Sequence, residues 1–98
     1  MLELLIIHEA KTKADAQLFI RNVALSGAFE STRHEKGCIK HEYYVPVLRN
    51  RNTVYVHEIW DSEESHKAHM QMPYMQIEME LREYHLISTT VKKLSDFN

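Results

Sequence analysis

The sequence predicts an α+β protein, a ferredoxin-like β-α-β-β-α-β unit with one four-stranded antiparallel sheet. Three observations predict it. Four stretches have strand character: Leu2 to His8, Cys38 to Val45, Thr53 to Trp60 and Leu86 to Leu94 are rich in Ile, Val, Thr and Tyr. Segments with apolar residues at helical spacing separate the first from the second and the third from the fourth. The second and third are joined instead by the polar Arg49-Asn50-Arg51-Asn52, a turn-forming link suited to an antiparallel hairpin.

The first strand is a nearly continuous apolar run, which suits a strand covered on both faces. Leu2, Leu4, Ile6 and His8 share one face; Glu3, Leu5 and Ile7 share the other. Thr12 caps the first helix, with Asp15 as the acidic member of a capping box. Phe19, Ile20, Val23 and Gly27 follow helical spacing, so one helix is expected to run on until just before Gly37. Gly27 marks close packing or a local irregularity within it. Arg33, His34 and Lys36 suit its C-terminal carbonyls.

Ile39, His41, Tyr43 and Val45 alternate with Cys38, Lys40, Glu42 and Tyr44 along the second strand, which Pro46 ends. The third strand runs directly into a helix. Asp61 or Ser62 caps it, Glu63 and Glu64 favour its positive end, and it reaches about Gln71. Pro73 restarts the chain as a short helix. The last strand follows, and residues 95–98 fray.

Ninety-eight residues are the size of one domain, so residues 1–98 are read as a single domain. A hydrophobic share of 44% and a charged share of 27% describe a globular chain and exclude disorder. A net charge of −2 excludes the broad basic face that nucleic acid requires. Cys38 is the only cysteine, so no internal disulfide forms, in keeping with a reducing cytoplasm. Leu4-Leu5-Ile6-Ile7 is too short to span a membrane and lacks the marks of a signal peptide. A cytoplasmic protein without nucleic-acid or membrane partners is expected.

A single sheet with helices on one face leaves its other face bare. Large apolar residues on both faces of these strands then call for a second copy, packed sheet to sheet as a homodimer.

Candidate site residues gather around Val56 to Met70. Glu58 and Trp60 share a strand face; His66 and His69 share a helix face one element later. Seven histidines in so short a chain also point to sensitivity between about pH 5 and 8. His69 is the leading candidate, since a neutral imidazole can accept a phenolic proton near pH 7. Trp60, Glu58, His8, His41, His66 and Tyr74 are candidate substrate-binding residues. Packing or structural pairing is the competing role for each. His41 and His57 lie on paired strands and are expected near each other. Glu63, His66 and His69 also have metal-ligand character, but helical two-metal sites draw such motifs from several helices, so no metal is expected.

Thr32-Arg33 with Glu35, Gly37 and Cys38, then Glu58-x-Trp60-x-Ser62-x-Glu64, then Ala68-His69 and Pro73, together resemble the antibiotic biosynthesis monooxygenase family of the dimeric α/β-barrel superfamily. The resemblance covers about residues 2 to 94. It implies a homodimer whose two sheets form a barrel, each subunit holding a pocket between sheet and helices. It implies a cofactor-independent monooxygenase that oxidises a small phenolic or quinol-like substrate with molecular oxygen, with no metal or flavin. His69 falls on the family's Ala-His, and Trp60 on its tryptophan. Haem-degrading relatives share a pocket asparagine, a helical tryptophan and a haem-ligating histidine. This chain has His8, a position near His69 and Met79 there, and so departs from them. Two other functions stay open: a non-catalytic dimeric binding or stress-response module, and a cofactor-free isomerase holding an anionic metabolite with Lys40, Arg49 and Arg51.

Overall fold

The computed structural model describes residues 1–47 and 52–95. The elements run β1 (Leu2–Ala10), α1 (Lys13–Leu25), α2 (Ala28–Arg33), β2 (Cys38–Tyr44), β3 (Thr53–Trp60), α3 (Glu63–Met70), α4 (Tyr74–His85) and β4 (Leu86–Leu94). The sheet has the order β2-β3-β1-β4. Every neighbouring pair is antiparallel, which is the predicted ferredoxin-like arrangement.

Alternation along the strands decides what each face carries. Leu2, Leu4, Ile6 and His8 are buried under the helices, and Glu3, Leu5 and Ile7 look the other way, half-buried. The register Leu4↔Glu58, Ile6↔Val56 and Leu2↔Trp60 puts Glu58 and Trp60 on the helix side too. His41 pairs with Glu58 and joins that side, whereas Glu42 pairs with His57 on the opposite face. The expected closeness of His41 and His57 therefore fails. Neighbouring strands bring them to adjacent positions, but adjacent positions on a pleated strand point to opposite faces. His57 bonds Glu3 on the open face at 2.6 Å.

The predicted single helix is two helices. Gly27 has φ +85°, a left-handed conformation that ends α1 and starts α2. Ser26 closes α1, its hydroxyl donating to the Val23 carbonyl at 2.6 Å. The N-terminal cap is as expected: the Thr12 hydroxyl accepts from the Asp15 amide at 3.0 Å. Ser62, of the two candidates, caps α3, accepting from the Ser65 amide at 3.1 Å. The helix after Pro73 is twelve residues long, not short. Its inward side carries Met75, Glu78 and His85, so two of its three buried residues are polar. The apolar period that would reveal its length is interrupted there.

The main core joins Phe19 and Val23 of α1 to Ala10, Val54 and Leu86. Leu2, Leu4 and Trp60 form a second cluster at the α3 end of the sheet. Of the predicted link, Arg49-Asn50-Arg51 lies outside the described residues, as does most of the predicted C-terminal fray. Among the described residues, no helix is long and apolar enough to cross a membrane.

Candidate functional site

The two clusters leave a polar centre between them, on the helix side of the sheet. β3 delivers Glu58 and Trp60, β2 delivers His41, and α3 delivers His66 and His69. Glu58 is 3% exposed and ionised. Burial alone would raise its pKa. The neighbouring His41 and the Trp60 indole outweigh that and hold it at about 2. Trp60 Nε1 donates to Glu58 Oε1 at 2.9 Å. His41 Nδ1 stands 3.3 Å from Glu58 Oε2, outside hydrogen-bond alignment. The sequence left open whether Glu58 bound substrate or was a structurally paired carboxylate. It faces the helices, away from the open sheet face, and a carboxylate held this acidic is a poor proton acceptor near neutrality.

His69 is buried against the Trp60 ring, with centroids 4.8 Å apart. Its Nδ1 lies 2.7 Å from Glu35 Oε2, and both side chains are nearly fully buried. The Tyr74 hydroxyl donates to the same carboxylate oxygen. Burial and the Glu35 bond push the Tyr74 phenol well above its usual range, so it stays protonated. An ionised carboxylate only accepts, so it fixes the neutral imidazole as the Nδ1–H form and leaves Nε2 with a free lone pair.

A cavity of about 70 Å³ lies against this centre. Glu58, His66 and His69 line it together with Leu4, Ile6 and Arg82. Two of the predicted residues stand behind the wall. His8 is fully buried, bonds Thr89 Oγ1 through Nδ1 at 2.8 Å, and packs on Phe19. Burial, then the nearby Arg82 cation, push its pKa down to about 3, so it is neutral. His41 is likewise buried beneath the site. Trp60 and Tyr74 reach the site through Glu58 and Glu35. His66 is half-buried and held below the usual histidine range by burial.

Sequence reasoning missed Glu35, Glu78 and Arg82. Arg82 bonds Glu78 at 2.6 Å, and Glu78 accepts from the Tyr43 hydroxyl at 3.2 Å. An i,i+4 Glu–Arg pair reads as a surface feature in a sequence. Glu35 sits among Arg33, His34 and Lys36 and reads as one more charge near a helix end. Its place in the quoted family pattern was the available signal.

The metal-like trio is dispersed. Glu63 is exposed and pairs with Lys93 at 2.7 Å, and His69 Nδ1 is taken by Glu35. Among the described residues, no three His, Cys, Asp or Glu side chains are grouped to hold a metal. Lys40 lies on the open sheet face; Arg49 and Arg51 lie outside the described residues.

Comparison with solved structures finds the same fold. A Pseudomonas aeruginosa protein is similar at TM-score 0.81 and 18% identity, covering 99% of this chain and 94% of that one. A structure described as an antibiotic biosynthesis monooxygenase is similar at TM-score 0.79 and 18% identity, each chain covered completely. A Nitrosomonas europaea protein, provisionally named as such a monooxygenase, reaches TM-score 0.85 at 10% identity, also with complete coverage of both. No curated protein matches the sequence. The family model described as antibiotic biosynthesis monooxygenase matches residues 5–77, from β1 through the start of α4. The match spans Glu35, Glu58, Trp60 and His69, and with it the chain belongs to the antibiotic biosynthesis monooxygenase family.

Proposed function

We propose that the protein is a cofactor-independent monooxygenase acting on a small phenolic or quinol-like substrate, with His69 as the base. The observation that carries this reading is the Glu35–His69 pair beside the cavity. A buried carboxylate orienting an imidazole is an arrangement suited to taking a proton at neutral pH. Family membership supports the reaction class.

In this reading His69 Nε2 accepts the substrate's hydroxyl proton. The electron-rich anion then reduces molecular oxygen by one electron, and the two radicals combine at a ring carbon bearing hydrogen. The peroxide formed takes the proton back from His69. Its O–O bond breaks with loss of the ring hydrogen, so one oxygen atom stays as a carbonyl and the other leaves as water. Trp60, Tyr74 and the buried apolar walls keep water from the intermediate. Glu58 and His41 set the field around the imidazole, His66 lines the pocket, and His8 stands behind its wall.

The homodimer belongs to the same reading. Leu5 and Ile7 on β1 and Tyr55 and Ile59 on β3 share the open face of the sheet, and a second copy covers them. Oxygen uptake with a panel of quinols, in the wild type and in His69→Ala, tests the activity. Uptake that needs His69 is expected; a panel without uptake defeats the proposal.

A further inference from the structure

The cavity at His69 is too small for the substrate proposed for it, and this deepens that reading. About 70 Å³ accommodates roughly two waters, whereas an apolar cavity that takes up benzene measures about 150 Å³. A wall must therefore move. Glu58, His69 and Arg82 are each tied by hydrogen bonds to Trp60, Glu35 and Glu78. Leu4 and Ile6 sit on the strand at the middle of the sheet.

His66 is different. Its ring meets Trp60 at 5.9 Å and His69 at 6.1 Å as an aromatic neighbour. It also lines a second space, a groove of about 260 Å³ between α3 and the helix-facing side of β4. Leu4 and Val91 line both spaces as well. The spacing of α3 explains the arrangement: Glu63, His66, Lys67 and Met70 fall at i, i+3, i+4 and i+7, one stripe turned toward cavity and groove. The floor of the groove is apolar, from Leu2, Leu4 and Val91. Its rim carries Lys67 and Lys93, with Glu63 paired to Lys93, which leaves an excess of positive charge.

We propose that cavity and groove are one bent binding site partitioned by His66, and that it takes an elongated aromatic acid. The hydroxyl end of the ring meets His69, the ring body lies on Leu4 and Val91, and the anionic end reaches the Lys67–Lys93 rim. Rotation of the His66 side chain joins the two spaces. Together they approach the few hundred Å³ that small-molecule sites commonly provide.

The test is anaerobic calorimetric titration of the whole protein with 6-hydroxy-2-naphthoate and with 2-naphthol, which lacks the carboxylate. The expected result is binding of both, with the acid about two- to five-fold tighter, the range of a solvent-exposed ion pair. The double substitution Lys67→Gln, Lys93→Gln removes that advantage, and His66→Trp, which fills the passage, abolishes binding of both. Equal affinities in the wild type, an advantage that survives the loss of both lysines, or full affinity in His66→Trp overturns the proposal. Oxygen uptake is measured separately. Binding without uptake leaves this site standing and removes the oxygenase reading.

Discussion

Glu35 and His69 meet at 2.7 Å although far apart in the chain, one in the turn between α2 and β2 and the other on the inner face of α3. The pair is buried and has Tyr74 as its third member. A carboxylate placed there both selects the imidazole tautomer and stabilises the imidazolium that forms when a substrate proton arrives. Loss of His69 should therefore lower kcat by about 10²- to 10⁴-fold, the usual worth of a general base. Glu35→Gln retains the shape but loses the charge. It should lower kcat less than His69→Ala does. Steady-state oxygen uptake from pH 5 to 9 reads both effects.

Acid should lower the protein's stability over two successive pH ranges. His8 has a pKa of about 3 in the fold against 6.5 for an ordinary histidine. Below about pH 6.5 the unfolded chain binds a proton that the folded one refuses, so stability falls as pH drops from 6.5 toward 3. The slope approaches 1.4 kcal/mol per pH unit, about one bound proton. Glu58, at about 2 in the fold against 4.5, adds a second loss between about pH 4.5 and 2. Urea unfolding at a series of pH values should show this, and His8→Leu should flatten the curve between pH 6.5 and 4.5 while leaving the loss in the lower range.

The two glycines should respond differently to alanine. Both have positive φ, +85° at Gly27 and +87° at Gly37. At Gly27 an added Cβ meets open space, so only the backbone cost of about 1–2 kcal/mol applies. At Gly37 it collides with the side chains of Ser65 and Asp61, and the Gly37 carbonyl accepts from the Asp61 amide at 2.8 Å. Gly37→Ala should therefore cost more than Gly27→Ala by thermal unfolding, and it should disturb the start of α3 and with it His69.

A dimer through the open sheet face should dissociate when a charge is placed at its centre. Ile7→Lys is expected to give a monomer in sedimentation velocity at micromolar concentration while the wild type sediments as a dimer. Burying an unpaired ammonium between two sheets is strongly unfavourable.

Much of this was legible in the sequence because it rests on period and end signals. The strand alternation at Leu2 to His8 and the run from Thr53 to Trp60 gave the faces, and Thr12 and Ser62 gave helix starts. Gly27 stood out as close packing or an irregularity, but apolar spacing continues on both sides of it, so the division into two helices was not legible. The placement of His69, Glu58 and Trp60 together followed from residue spacing on one strand and the next helix. Their partners did not. Glu35, Glu78 and Arg82 are charged residues in surroundings that look solvated along the chain, and only tertiary packing buries them.

The most direct test of the account is oxygen uptake coupled to product analysis, with naphthalene-1,5-diol as substrate and chelator-treated protein. One oxygen molecule consumed per hydroxynaphthoquinone formed, with the rate lost in His69→Ala, is the predicted result. Uptake no faster than without protein, or equal in wild type and His69→Ala, would contradict the assignment of His69 as the base of an oxygenase.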